Sequence, residues 1–485
     1  MEHDHSADAL SQGHGRDAMH QPARRECKEN RLLMVAYGTH GDVYPFIALA
    51  KALRQEGCHI AFATLPQYRP LVETVGASFV EMVPDSLLAS YCASTAAWSA
   101  QDGLNTFFDD VLSPLVRPVC DLLVRTGNEY RLVLASVLAL GARIAYDVKP
   151  FSLVTVCPYP VFFQSIQLPP VQPRVRLGAL AVGAVQRTML RGLDVLTNAL
   201  VGPPERASRL VISPAASLWK RRLAQRIVLA VGDAALGPAI NAVRAEHGLP
   251  PVRRVLDRAL FSPRNILALF PEWFAPPQAD WPSHTVVSSF QDLGDARQAP
   301  SPALCEFLSR GDKPVVFTFG SCKQHNASLF ATAAAVLLRL NKRGVFVTRN
   351  AADIPARLPD FIFHATFEPF PYLFRHAALV VHHAGVGTCA DALRAGVPQL
   401  LVPFTYDQPD NATRLQRLGV GKIVAPGLFT EEVVAERMQS LLQSAHVRQS
   451  CARYAGLLDR QEAENPAVRQ ILQWLASEQA SDFQK

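Results

Sequence analysis

The stretch 378–421, ALVVHHAGVGTCADALRAGVPQLLVPFTYDQPDNATRLQRLGVG, leaves the chain few folds to choose from. Its apolar opening, 378–381, reads as a strand buried on both faces, the mark of a parallel sheet. His382, His383, Ala384, Gly385, Val386, Gly387 and Thr388 follow as a turn in which glycine lets backbone approach a ligand. From Thr388 the apolar spacing turns helical, and Gly396 with Pro398 stops the helix. A strand, a glycine turn and a helix N-terminus form an anion site, because free backbone N–H groups and the positive dipole end converge there. A second strand, 399–402, runs into Pro403 and then Asp407-Gln408. Strand carboxyl ends gather on one edge of a parallel sheet, so this acid–amide pair is expected beside the anion site. An anion next to a carboxylate and an amide suggests a phosphate carrying a polyhydroxylated group.

The chain has 485 residues, more than one core normally holds, and two domains are expected. At 49% hydrophobic and 19% charged it is globular, with nothing that predicts a nucleic-acid partner. The net charge of +6 is uneven: residues 171–230 carry ten Lys or Arg against Asp194 and Glu205. Nine cysteines without a CxxC pair suit small core residues or idle thiols in a reducing cytosol. Residues 1–30 are polar, lack the apolar core of a signal peptide, and read as a disordered tail in which His3, His5, His14 and His20 have no fixed geometry. No uninterrupted apolar run approaches the roughly 18 residues that span a bilayer. The expected location is therefore cytoplasmic, with the inner membrane surface as a further option.

Alternation of strand and helix patterns predicts an α/β fold of two doubly wound, Rossmann-like domains. In the first, residues 31–282, strand 31–37 leads through the turn 38–43 into a helix that starts at Pro45, and strand 59–65 follows. Strands at 131–135, 152–156 and 265–270 and helices at 142–148 and 238–245 continue it. Within its basic stretch, about 171–235, residues 178–200 read as an amphipathic helix suited either to covering the domain or to a membrane surface. The proline- and aromatic-rich segment 271–282 reads as the interdomain passage. The second domain, 283–464, opens with strand 314–319 and Gly320-Ser321. Helix 327–341, strand 344–348 and a short strand near 361 precede the stretch described above. Residues 465–485 read as a terminal amphipathic helix.

The order HHAGVGT, AGVPQLLVP, DQPDNA, LGVG resembles the donor-binding signature of nucleotide-sugar glycosyltransferases of the two-domain GT-B superfamily. By that resemblance the last helix returns to the first domain, His383 contacts the donor diphosphate, and the turn Gly385 to Thr388 (Gly385, Gly387, Thr388) offers it amides. Ser321 matches the serine of the facing loop, and Asp407 and Gln408 match the pair that holds sugar hydroxyls. Phe367 lies where an aromatic residue stacks on the pyrimidine base. Phe370 takes the place of a glutamine often found nearby, and Asp391 that of a ribose-binding acid. The turn GTHGDVYPF is similar to the GSRGDVQPF-type opening of sterol and antibiotic glycosyltransferases, which implies Asp42 as the base. His40 is its rival, and a cap on the following helix is the plain structural role for Asp42. No cofactor is implied beyond the nucleotide sugar, and no metal is expected, because amides and cations can neutralise a diphosphate.

Outside the donor signature, LALGARIA at 138–145, LPPVQP at 168–173, INAVR at 240–244 and LFPEWFAPPQADWP at 269–282 resemble the rhamnosyltransferase family of bacterial rhamnolipid biosynthesis. The resemblance spans about 31–445, with a longer and more basic departure at roughly 175–235. It implies inverting transfer of L-rhamnose from dTDP-L-rhamnose to a 3-(3-hydroxyalkanoyloxy)alkanoate, and an acyltransferase partner. UDP-glucose-dependent transfer to a sterol, carotenoid or other lipid, an inactive GT-B partner protein, and a sugar-nucleotide epimerase remain open at this level.

Overall fold

The computed structural model describes residues 30–82, 90, 91, 94, 97, 103–173, 209, 210, 217–294, 299–320 and 326–482. Most of the 1–30 tail, the 178–200 segment and Ser321 lie outside them.

Among the described residues fifteen strands follow in chain order: β1 (Arg31–Val35), β2 (His59–Thr64), β3 (Ser78–Glu81), β4 (Leu132–Ser136), β5 (Leu153–Cys157), the two-residue β6 (Gln172–Pro173) and β7 (Arg209–Leu210), β8 (Asn265–Ala268), β9 (Thr285–Val287), β10 (Val315–Thr318), β11 (Gly344–Val347), β12 (Ile362–Ala365), β13 (Leu379–His382), β14 (Gln399–Leu401) and β15 (Gly421–Ile423). The first sheet runs β3-β2-β1-β4-β5-β8-β9 and the second β12-β11-β10-β13-β14-β15, both parallel throughout. Leu32 to Val35 and Leu379 to Val381 are buried on both faces of their sheets. Each such side chain contributes about 1.5–3 kcal/mol, so these central strands anchor the loops at their carboxyl ends.

In each sheet the strand order reverses between the two central strands, β1 and β4 in the first and β10 and β13 in the second. A crevice opens at such a switch point. The first turn of the helix that follows β1 holds His40 and Asp42, and the loop after β13 holds His383 and Gly385. The two segments meet: a methyl group added at Gly387 would lie 3.9 Å from the Cα of Gly41.

Three expectations need correction. The first helix runs His40–Gln55, five residues ahead of the expected start, with Pro45 inside it. Thr39 is its N-cap and Asp42 the third helical residue, so the supposed turn is the helix's first turn; Pro45, the sixth helical residue, lies past the groups left free at a helix start and deprives the Gly41 carbonyl of its ladder donor. The helix expected at 238–245 is the end of a helix spanning Leu218–Glu246. Gly237-Pro238 reads as a start but sits mid-helix. By length and composition this helix could cross a membrane, but its later turns are buried against the helices Ser113–Thr126 and Gly141–Val148. Finally, β9 pairs with β8, so the first sheet continues beyond residue 282.

The last helix, Pro466–Asp482, packs against His40–Gln55 of the first domain. Trp273 tilts against Tyr454 with ring centroids 5.0 Å apart, and its Nε1 donates to Gln461 Oε1 at 2.9 Å. The C-terminal helices thus bind the two domains together.

Candidate active site

A cleft of about 750 Å³ lies between the switch points. His40, Asp42, Phe367, Phe370, His383, Gly385, Gly387, Thr388, Asp407 and Gln408 all line it.

The two adjacent histidines divide their work. His382 is fully buried; its Nδ1 accepts from the Ala384 N–H at 3.2 Å, and its Nε2 lies 3.0 Å from Gln399 Oε1. This network places the proton on Nε2, and burial presses the pKa down to about 4, so the ring is a neutral strut. His383 turns into the cleft, over Gly320 and Gly385. A methyl group at Gly385 would lie 2.5 Å from its Nε2, so the ring can occupy this place only above glycine. Ala384 between them is held at φ 67° and Tyr406, before Asp407, at φ 60°. Such left-handed backbone costs a non-glycine residue about 1 kcal/mol or more. Gly385 is the N-cap of the helix Val386–Arg394, whose first amides open onto the same space.

Asp407 is the N-cap of the helix Gln408–Arg417, and its Oδ2 accepts from Asn411 Nδ2 at 2.6 Å. The same Asn411 amide donates to the Ala384 carbonyl at 3.0 Å, joining the two loops. Burial and the facing Asp42 carboxylate raise the Asp407 pKa to about 7. Gln408 departs from its expected part: its Oε1 is turned back to the Phe404 and Thr405 N–H groups at 2.8 and 3.3 Å. Only its amide nitrogen remains for a sugar hydroxyl. Phe367 is 39% exposed, with the Arg349 guanidinium 5.8 Å from its ring centre. Phe370 stacks on Phe374 at 4.7 Å, so its ring serves packing as well as the cleft wall. Asp391 is buried with its Oδ1 accepting from Arg394 Nη1 at 3.0 Å, so part of its acceptor capacity is already engaged.

On the opposite wall both Asp42 oxygens are occupied. Oδ2 accepts from the Thr39 N–H at 2.5 Å and the Thr39 hydroxyl at 2.9 Å, and Oδ1 accepts from the Tyr159 hydroxyl. The capping role is therefore present, on a residue that also lines the cleft. Burial raises the Asp42 pKa, and the bonds from Tyr159 and Thr39 oppose the rise. His40 stacks on Tyr44 at 4.7 Å; burial and then Arg349 press its pKa down to about 4, which keeps the ring neutral near pH 7. The same cleft is also lined by the apolar side chains of Phe107, Phe108, Leu112, Phe162, Ile227, Val231 and Leu256.

Sequence reasoning missed Tyr159, Arg349 and Glu368. Glu368 is buried, and its carboxylate accepts from the Ser301 N–H at 3.1 Å and the Ser301 hydroxyl, fixing the loop that presents Phe367. The proline-flanked Tyr159 on a strand end was the one visible signal among the three.

The Asp407 shift sets a pH signature. Its folded-state pKa lies above the ordinary 3.8, so its stabilising contribution is present at low pH and lost as pH rises through about 7. Asp407→Asn removes that loss. In thermal melts without ligand, the Tm of the variant relative to wild type is expected to climb between pH 5 and pH 8.5; a pH-independent difference would contradict the assignment.

Residues 32–144 match the glycosyltransferase family 28 N-terminal domain, and residues 341–476 the erythromycin biosynthesis protein CIII-like C-terminal domain. The chain is 28% identical over 405 residues to O-mycaminosyltylonolide 6-deoxyallosyltransferase of Streptomyces fradiae, across 82% of this chain and 86% of that one. It is 27% identical over 412 residues to a sterol 3-beta-glucosyltransferase of Leptosphaeria maculans, across 80% of this chain but 25% of that longer protein. Among solved structures, glycosyltransferase VinC in complex with dTDP covers 92% of this chain at TM-score 0.58 and 17% identity, with 100% of its own length matched. Fold, facing loops and these matches converge on one class: the chain is a GT-B glycosyltransferase. The family 28 match covers residues 32–144 and the erythromycin-CIII-like match residues 341–476, and glycosyltransferases of this kind use a nucleotide sugar as co-substrate and no metal ion. Among the described residues no group of three His, Cys, Asp or Glu side chains could hold a metal.

Proposed function

We propose that the enzyme transfers L-rhamnose from dTDP-L-rhamnose, with inversion, to a hydroxyl of a 3-(3-hydroxyalkanoyloxy)alkanoate. The observation that carries the acceptor class is the set of apolar side chains, among them Phe107, Phe108, Leu112, Phe162, Val231 and Leu256, that line the same cleft as Asp42 and His40. Such a lining accepts an alkyl chain whose hydroxyl then meets the polar groups of the cleft. A deoxysugar transferase among the relatives and a dTDP complex among the structural neighbours support the donor.

In this reading the acceptor oxygen attacks C1 of the sugar as the bond from C1 to the diphosphate breaks. The hydroxyl proton passes to Asp42, whose raised pKa makes it a better base than an exposed carboxylate. Thr39 and Tyr159 hold that carboxylate in place. Charge developing on the diphosphate is received by His383 and the first amides of Val386–Arg394. Asp407 and the Gln408 amide orient the sugar, and Phe367 supports the base.

Incubation with dTDP-L-rhamnose or UDP-glucose, each with the hydroxyalkanoyloxyalkanoate, with and without EDTA, tests this by mass spectrometry. Rhamnolipid from the dTDP donor alone, unaffected by EDTA, is the expected product. Glucolipid alone would establish the second reading, a UDP-glucose-dependent lipid glucosyltransferase, which the sterol glucosyltransferase similarity favours. No product with either donor would defeat the lipid-acceptor assignment. Tyr159→Phe supplies a further check: loss of its bond removes a stabiliser of ionised Asp42, so the acid limb of the kcat/KM profile should move to higher pH. An unmoved limb would separate Asp42 from the titration.

A further inference from the structure

Three of the six exposed large hydrophobic side chains among the described residues, Leu218, Trp219 and Leu223, lie within six residues at the start of the helix Leu218–Glu246. Their exposures are 47%, 62% and 40%. Lys220, Arg221, Arg222 and Arg226 surround them, and no acidic residue occurs between 218 and 232. The first acid, Asp233, is engaged inward, accepting from the Arg254 and Val255 N–H groups at 2.9 and 2.7 Å.

At 100° per residue, Trp219, Arg222, Leu223 and Arg226 share an outward arc about 100° wide. The opposite face is occupied: Val228 and Val231 line the cleft and Gly232 is buried, while Ile227 and the buried Leu229 flank the outward arc on either side. Arg221 Nη1 donates to the Ile166 and Gln167 carbonyls at 2.9 and 3.1 Å, tying the helix to the domain body. The Lys220 ammonium lies 5.6 Å from the Trp219 ring centre.

We infer that the outer face of this helix, over its first three turns, docks on an anionic lipid surface. Tryptophan and leucine set among cations suit the boundary between headgroups and acyl chains: the rings enter the apolar edge, and the long basic side chains reach phosphates. A second copy of the chain fits less well, because a two-fold contact through this face would bring Arg222 and Arg226 against like charges. Since the other face of the same helix lines the pocket, an amphiphile in the leaflet has a short path to Asp42. The inference goes beyond the assignment of donor and acceptor and concerns binding, which is read without catalysis.

The test is co-sedimentation of the full chain with vesicles of phosphatidylcholine alone or with one third phosphatidylglycerol. Binding is expected to the anionic vesicles only, and to fall between 0.1 and 0.5 M NaCl. Arg222→Gln with Arg226→Gln should lower the partition coefficient about thirtyfold at low salt. Trp219→Ser with Leu223→Ser should lower it at least tenfold. Both double variants should keep the wild-type melting temperature and the wild-type rate on a dispersed short-chain acceptor. Equal binding to neutral and anionic vesicles, no binding at all, or variants that bind like wild type would overturn the inference. Loss of a concentration-dependent dimer in the Trp219/Leu223 variant would overturn it too, by assigning the face to self-association. A wild type that binds vesicles but makes no glycolipid would sink the acceptor assignment and leave the docking face intact.

Discussion

Replacing Asp42 with Asn is expected to lower kcat by about a thousandfold while leaving the KM for the donor within a few-fold. A positioned general base is worth 10²–10⁴ in rate, and Asp42 lines the cleft beside its apolar side chains. The substitution is suited to separating base from cap. Asparagine can still accept from Thr39 through its carbonyl, while its amide faces the Tyr159 hydroxyl oxygen, which can accept. The helix His40–Gln55 should therefore keep its start, and the Tm should fall by only a few degrees. A kcat within tenfold of wild type would reduce Asp42 to a helix cap and move the base to His40. That outcome has its own check, because the neutral imidazole at position 40 would then be indispensable and His40→Ala would carry the thousandfold loss.

The second large effect concerns stability. Asp410 and Arg414 form an ion pair at 2.7 Å, with side chains only 4% and 7% exposed. The pair belongs to the second domain but holds the first: Asp410 Oδ1 accepts from the Val171 N–H at 2.9 Å, and Arg414 Nη1 donates to the Phe274 carbonyl at 3.4 Å. Asp410→Ala would leave a guanidinium buried without its carboxylate and an interdomain amide without its acceptor, at a cost of roughly 3–5 kcal/mol. Urea unfolding should show a lower midpoint and, with the interdomain tie cut, domains that no longer unfold together. A change under 1 kcal/mol with a single transition would place the interdomain grip in the C-terminal helices instead. Asp410 lies on the same helical turn as Asp407 and Gln408, so one element both lines the cleft and ties the second domain to the first.

The donor half was legible because glycine and proline punctuate it: Gly385, Gly396, Pro398 and Pro403 divide 378–421 into strand, turn, helix and strand. The acceptor half was less so. Pro45 drew the expected helix start five residues late, because proline favours a first turn in general, while the Thr39–Asp42 reciprocal cap decided it here. Gly237-Pro238 hid most of a long helix whose continuity comes from packing on its neighbours. Tyr159 reaches Asp42 across 117 positions of sequence, and Glu368 reaches Ser301 across 67. No local spacing encodes such pairs; the sheet order creates them. The Gln408 carbonyl, turned to its own loop, shows the converse limit, since a motif names a residue without fixing which of its atoms faces the ligand.

The packing of Pro466–Asp482 on His40–Gln55 has a consequence for how the molecule is made. More than 400 residues separate the two helices, and translation proceeds at roughly 5–20 residues per second. The apolar flank of the earliest helix therefore waits on the order of 20–90 s for its cover, long after its own sheet can form. On the ribosome the first domain keeps an unfinished surface until a segment more than 400 residues downstream has emerged to cover it.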